Sequence, residues 1–565
     1  MTSDAAAVDR ALADLVEGAQ TWAATPLSRR RQLLEQVRAL TVEHASEWIC
    51  AAAGIKGLPA DSPLLGEEWL SGPYAVALNT AALANSLAKL EAGDSPLQGV
   101  EFGSAPGGRT AVEVFPLDAF DRLLLSGFSA QVWLQPGVGR EQALREAGLA
   151  QRDPSHSNGV GAVLGAGNIF SIAPLDTLYE LFAHNRVVAL KLNPVTDPLL
   201  GVWTKVLQPF ISLGVVRILT GGAETGQYLV SHSLVDHVHM TGSALTHDAI
   251  VYGTGAEGAR RKAADEPILD KPVTSELGGV SPTVVLPGQW NKADIRFQAQ
   301  HVATQRLHNN GYNCIAAQVV VLNSRWAQRE EFIDAVRAAV DAAPARQAYY
   351  PGSDDRVAAA RASYPQAQHL GQGGGRVLVV NPPDRTALLQ TEYFGPVLGI
   401  IELDCAEEDF AAEASRVVNE EFIGTLGINV LAAPSTIKAM GAGFDEFIAG
   451  LHYGTVAVNA WTGVGYLTAT ATWGAFPGHT RNDVQSGIGV VHNALLIDNT
   501  ERTVVRGPFR PAPRSVAGGE MSISPKPPWF VNNRTGSTTG RLLVAFAGNR
   551  SWLKIPAIVA SALRG

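Results

Sequence analysis

Short apolar runs, separated by stretches of helical spacing, recur through the middle of the chain. Residues 160–164, 187–192, 215–219, 235–240 and 283–286 are near-continuous in Val, Leu, Ile and Ala, the signature of strands buried on both faces. Between the first four lie helix-compatible segments at 175–184, 198–213 and 224–231. This strand–helix–strand order predicts a parallel sheet over 159–286, covered by helices, with a ligand site at the carboxyl ends of its strands. A second pattern of the same kind follows: a helix at 295–307, a polar turn, a strand at 319–322, a helix at 329–342 and a strand at 377–381. Two α/β lobes with a cleft between them are expected.

The flanks read differently. Apolar positions over 9–52 recur at helical spacing, broken by Thr25-Pro26, and the helical pattern resumes over 60–97 before Gly93-Asp94-Ser95-Pro96 ends it. Residues 109–116 and 130–135 alternate as half-buried strands, a sheet extension or an oligomer-facing flap. Residues 508–528, rich in Pro, Gly and Ser, read as a linker or extended arm. The apolar stretch 542–563 is interrupted by Asn549, Arg550, Lys554 and Pro556, which suits packing on the protein better than spanning a bilayer.

Composition narrows the partners. A chain of 565 residues, 46% hydrophobic and 17% charged, can bury the cores of more than one domain. A net charge of −9 argues against nucleic acid, which calls for a concentrated basic surface. The basic clusters Arg29-Arg30-Arg31 and Arg260-Arg261-Lys262 read as solvated helix faces. Three cysteines build no disulfide framework, so a reducing compartment, the cytoplasm, is expected, and the acidic start carries no export signal. Cys50 and Cys405 read as small buried hydrophobes. His232, His237, His239 and His247 lack the Cys or carboxylate spacing of a metal site and read as satisfied structural histidines.

Cys314 stands apart. It closes the polar turn Asn309-Asn310-Gly311-Tyr312-Asn313 directly before an apolar run, where a thiol can meet a substrate. Upstream lies Ser275-Glu276-Leu277-Gly278-Gly279, and downstream Thr391-Glu392-Tyr393-Phe394-Gly395-Pro396-Val397. Those three stretches, in that order, resemble the aldehyde dehydrogenase superfamily, with the resemblance running over about 159–489.

The resemblance implies an α/β fold of two Rossmann-like parallel-sheet lobes with a strand-based oligomerisation extension. It places a dinucleotide-binding lobe in 1–108 and 140–285, a sheet extension in 109–139, a catalytic lobe in 286–475, a return segment with an oligomerisation strand in 476–515, and a C-terminal extension in 516–565. It implies oxidation of an aldehyde by NAD or NADP through a thioester, in a homodimer or homotetramer whose inter-subunit strands resemble 109–116 and 502–505. Cys314 matches the nucleophile, Glu276 the base that activates water, and Asn168 the oxyanion donor. Lys191 matches the lysine on the adenosine ribose, and Thr241-Gly242-Ser243 the turn that receives pyrophosphate at a helix N-terminus. Glu392 and Phe394 match the pair at the nicotinamide ribose and ring. Departures from the family pattern fall at Gly167, Val280, His247, Tyr312 and Gln318. Asn193-Pro194-Val195 offers no carboxylate to reject a 2′-phosphate, which leaves NADP open. Tyr312, Trp461 and Tyr466 suit a bulky or apolar aldehyde. Two other readings stay open, a coenzyme A-dependent acylating dehydrogenase or acyl reductase and a catalytically silent nucleotide-binding scaffold.

Overall fold

The computed structural model describes residues 3–565. Two sheets organise it. The first has six strands in the order Gly487–Ile488, Val273–Leu277, His237–Gly242, Val160–Leu164, Val187–Lys191, Val216–Leu219. All its neighbours are parallel except the short return strand Gly487–Ile488. Strands Val160–Leu164 and Val187–Lys191 are buried almost throughout, which explains their near-continuous apolar sequence.

The second sheet has eleven strands, seven of them mutually parallel in the order Thr500–Arg506, Thr455–Val458, Gly427–Leu431, Ser281–Val285, Ala317–Asn323, Val397–Leu403, Arg376–Val380. Antiparallel strands extend it at both ends: Gln368–Leu370 on one side, and Ser129–Leu134, Arg109–Phe115 and Phe102–Ala105 on the other.

Two expectations change here. The run at 283–286 belongs to the second sheet, where Ser281–Val285 lies between Gly427–Leu431 and Ala317–Asn323. The last parallel strand of the first sheet is Val273–Leu277, whose polar Thr274, Ser275 and Glu276 hid it from a search for apolar runs. The chain therefore crosses between sheets at Gly278-Gly279, where a Cβ on Gly279 would come within 2.9 Å of the Gly424 Cα. Residues 502–505, expected to face another subunit, instead lie in a strand paired on both edges within the chain.

The N-terminal helices Ser3–Ala24, Leu27–Glu43 and Ala45–Lys56 cover the first sheet. Arg30 is not on a solvated face but fully buried, donating to Gln151 Oε1 (2.8 Å), Asn185 Oδ1 (2.6 Å) and the Thr25 carbonyl (2.9 Å). Those oxygens replace the water an exposed guanidinium would have. Cys50, expected inside, is exposed, and Cys405 is half-buried. The Pro-rich stretch is no free linker: Ser515 and Ser522 are buried, and the Ser522 hydroxyl donates to the Ser126 carbonyl at 2.6 Å. Helices Gly536–Gly548 and Ile555–Ala562 then pack against each other, and the first of them against the turn at 70–74. Among the described residues, no helix is long and apolar enough to cross a membrane.

Candidate active site

The loop before Cys314 is built from conformations most residues avoid. Helix Lys292–Leu307 ends at His308, and Asn309, Asn310 and Gly311 follow with φ of 53°, 56° and 80°. Asparagine tolerates the left-handed region better than other non-glycine residues. At position 311 a Cβ would lie 2.5 Å from the Gly395 carbonyl oxygen, so only glycine fits. Asn309 is fixed on every side: its N–H donates to Glu67 Oε2 (2.9 Å), and its side-chain amide donates to the carbonyls of Asn168 (3.1 Å) and Tyr312 (3.0 Å). The Tyr349 hydroxyl lies 3.1 Å from its Oδ1. Glu67 is ion-paired with Arg346; burial opposes its ionisation, but Arg346, His308 and the Asn309 N–H hold its pKa below the usual carboxylate range.

Glu276 projects from strand Val273–Leu277 towards Cys314. Its Oε1 accepts from the Trp473 indole at 2.9 Å, while Oε2 is buried without a partner. Burial pushes its pKa up to about 7, against the Trp473 and Cys314 contacts, which lower it. Burial likewise pushes the Cys314 thiol well above its usual value, with Glu276 and then Glu392 adding to the effect. The resting pair is thus a neutral thiol beside a carboxyl poised near neutrality, able to take the sulfur's proton when a substrate arrives.

Around them lies an apolar cavity bounded by Ile169, Ile172, Trp461, Tyr466, Trp473 and Trp529. Of the residues singled out from sequence, Cys314, Glu276 and Thr241 line it. Asn168 does not, but it is anchored to the same loop, donating from Nδ2 to the Tyr312 carbonyl at 3.0 Å, two residues before the thiol. Its second amide hydrogen has no acceptor among the described residues. Trp461 and Tyr466 line the cavity, but Tyr312 does not: it is fully buried, its hydroxyl 2.5 Å from Ser353 Oγ. With Tyr350 and Phe394 it forms an aromatic cluster outside the cavity.

Lys191, Gly242, Ser243, Glu392 and Phe394 do not line the cavity. Lys191 ends its strand almost buried, its pKa lowered by burial against the pull of Asp197. The Thr241 hydroxyl donates to Asp176 Oδ2 at 2.9 Å, and Gly242 leads to Ser243, which caps helix Ala244–Val251 by accepting from the Thr246 N–H at 3.2 Å. Glu392 is pressed against Gly278, where any Cβ would lie 2.2 Å from its Oε1. Burial raises its pKa to about 8 despite Arg306, and that Oε1 has no partner. Gln318, where the family pattern has Arg, donates to the Thr391 carbonyl (2.7 Å) and accepts from the Tyr393 N–H (2.9 Å), clamping the Glu392 segment from both sides. Gly167 leaves room that the Asn193 side chain occupies, a Cβ there lying 2.7 Å from the Asn193 Cγ.

Sequence reasoning missed Asp176, Glu67, Arg346 and Trp473. Asp176 was detectable: it and Glu180 are the two charges in the otherwise apolar helix Ile172–Phe182, four residues apart on one face. Burial opposes Asp176 ionisation, but His239 (3.5 Å) and His492 (3.3 Å) hold its pKa down to about 2. The clustered histidines are not all satisfied, since His247 Nε2 is buried without a partner. Among the described residues, no three His, Cys, Asp or Glu side chains are grouped so as to hold a metal ion.

Two parallel-sheet lobes meeting at a Cys–Glu pair define a class of fold and site, and the comparisons point the same way: about a third of this chain matches the aldehyde dehydrogenase family, and the fold as a whole is that of aldehyde dehydrogenases. The aldehyde dehydrogenase family matches residues 170–354, which include Lys191, Thr241, Glu276 and Cys314 and stop before Glu392. Coniferyl aldehyde dehydrogenase of a Pseudomonas species is 27% identical over 263 residues, 43% of this chain and 51% of that protein. Geranial dehydrogenase of Castellaniella defragrans is 29% identical over 240 residues, 38% and 44% of the two chains. The matches thus span about half the length of these relatives. The fold is shared more widely. A Mycobacterium tuberculosis aldehyde dehydrogenase complexed with NAD+ aligns with a TM-score of 0.59 at 19% identity, over 89% of this chain and 90% of that one. An NADP-dependent glyceraldehyde-3-phosphate dehydrogenase from Bacillus halodurans complexed with NADP gives 0.59 at 18%, over 89% and 91%.

Proposed function

We propose that this protein oxidises an aldehyde to a carboxylic acid with NAD or NADP, through a thiohemiacetal and then a thioester on Cys314. The observation that carries the reading is the half-buried Cys314 thiol beside Glu276, whose pKa stands at about 7 and whose Oε2 is free. The Glu276 carboxylate takes the thiol proton as sulfur bonds to the carbonyl carbon. The Asn168 amide and the Cys314 N–H donate to the oxygen, which gains charge as the bond forms. NAD or NADP, when bound, supplies the acceptor for the hydride that leaves this carbon. After Glu276 has passed its proton to solvent, it takes one from water; the hydroxide attacks the acyl carbon, the Cys314 thiolate leaves, and the acid is released. The balance is aldehyde, water and oxidised dinucleotide going to acid, reduced dinucleotide and a proton.

The residues present fit a dinucleotide. The orphaned Glu392 Oε1 suits ribose hydroxyls, Phe394 the nicotinamide ring, Lys191 the adenosine ribose or its phosphate, and the Thr241-Gly242-Ser243 turn a pyrophosphate at the helix N-terminus. Asn193-Pro194-Val195, the positions just after Lys191, carry no carboxylate to reject a 2′-phosphate, so NADP is compatible. The first sheet with its helices would bind the dinucleotide, and the second would carry the nucleophile. Trp461, Tyr466 and Trp473 around the thiol suit a bulky or apolar aldehyde, and two relatives carry coniferyl aldehyde and geranial in their names. A cytoplasmic homodimer or homotetramer is proposed, its assembly open to light-scattering measurement. The test of the reaction is acid formation from an aldehyde panel with NAD and NADP side by side, without coenzyme A. Acid formation supports the reading; acyl transfer that strictly requires coenzyme A assigns an acylating dehydrogenase instead.

A further inference from the structure

Beyond the thiol cavity lies a larger chamber of about 610 Å³, a size suited to a whole small-molecule ligand. Helix Ala75–Glu91 forms one wall through Leu78, Ala81 and Ala82. The opposite wall is the C-terminal part of the chain, with Trp529, Leu543, Phe546 and Ile558. A void of this size lined by leucine and phenylalanine is not what a purely structural core leaves, because cores close such space.

Three side chains, Leu70, Leu467 and Trp529, line both the chamber and the cavity of Cys314, so the two spaces meet at an apolar neck. Leu70 begins a widened helical turn, Leu70–Tyr74, that contains Pro73 and a non-helical Gly72; such turns commonly reposition side chains at functional sites. Of the four basic side chains at the chamber's edge, Arg38 makes no ion pair or hydrogen bond among the described residues, and the other three are engaged within the chain. Arg550 is held by Asp118 (2.6 Å) and Asp121 (2.8 Å), Lys89 donates to the carbonyls of Pro96 and Gln98 (both 2.8 Å), and Lys526 to that of Asn532 (3.2 Å). None of these three is left to recognise a phosphate or carboxylate.

We propose that the chamber holds the hydrocarbon body of a long-chain aldehyde whose carbonyl passes Leu70, Leu467 and Trp529 to reach Cys314, so that residues 524–562 set substrate length. This names the substrate class of the proposed reaction and rests on that reading. The test is kcat/KM for propanal, hexanal and dodecanal, together with binding of unreactive dodecanol followed by tryptophan fluorescence. From propanal to dodecanal kcat/KM rises at least about a hundredfold, because each buried methylene adds binding. Leu543→Trp, which fills the chamber from the C-terminal side, lowers the dodecanal value about tenfold or more and weakens dodecanol binding. Ala82→Phe acts in the same direction from the opposite wall, which a folding defect in the C-terminal helix would not produce. Equal values for propanal and dodecanal, or no dodecanol binding, overturn the proposal. A protein inert to every aldehyde that still binds dodecanol, with both variants weakening it, sinks the oxidation reading and keeps the chamber's ligand class.

Discussion

Two buried glutamates serve the Cys314 loop, and they are opposites. Glu67 meets Arg346 and the Asn309 N–H and is held ionised. Glu276, equally buried, has a single indole donor and an orphaned oxygen, and its pKa rises to about 7. The difference lies in partners rather than burial. A carboxylate whose charge is matched holds a backbone in place; one left short of donors can exchange a proton with its neighbour. The fold uses the first to hold three consecutive left-handed residues, so that the second faces sulfur.

Removing the sulfur gives the largest effect. Cys314→Ala is expected to lower kcat/KM for aldehyde oxidation at least about ten-thousand-fold, while thermal unfolding stays within a few degrees of the parent. Glu276→Gln keeps the shape but not the base, and should lower kcat by about a hundred- to ten-thousand-fold. In the parent, activity climbs as pH rises through about 7, because the ionised carboxylate is the active form; the variant loses that limb. Stability runs the other way. The Glu276 pKa is raised on folding, so between its unfolded value of about 4.5 and about 7 the unfolded state sheds a proton that the folded state keeps, and stability falls as pH rises across that window. Glu67 has the reverse sign, its contribution being present above the unfolded pKa and lost as pH falls through the lowered folded one.

Breaking the matched partner sharpens the contrast. Arg346→Met leaves Glu67 buried without its cation and should cost about 3–5 kcal/mol in denaturant unfolding, a loss that Glu276→Gln should not reproduce. The smallest effect is expected from Tyr349→Phe, which removes the hydroxyl beside Asn309 Oδ1 and should cost about 1 kcal/mol, with a modest fall in kcat and little change in pH profile.

The sequence made the first sheet legible wherever its strands are buried on both faces, as at Val160–Leu164, because burial writes itself as continuous apolar residues. It could not say which sheet a buried strand joins. Ser281–Val285 looks like its upstream neighbours yet pairs across the molecule, since partner choice is set by the crossing at Gly278-Gly279 and not by the strand's own residues. Cys314 and Glu276 were legible as local motifs on opposite sides of that crossing. Glu67 and Arg346 were not, because each is an ordinary charged residue until a fold brings positions 279 residues apart into one ion pair. Arg30 failed for the same reason: three arginines in a row look solvated, and it takes distant acceptors at Gln151 and Asn185, beside the local Thr25 carbonyl, to make burial possible.

The most direct measurement is the intact and peptide mass of Glu276→Gln after incubation with an aldehyde and NAD or NADP. The account predicts that an acyl group accumulates on the peptide carrying Cys314, formed more slowly than in the parent because the carboxylate that takes the thiol proton is gone, and removed more slowly still because no group activates water. Reduced dinucleotide released at the parent rate with no adduct at Cys314, or an adduct on another residue, would contradict it.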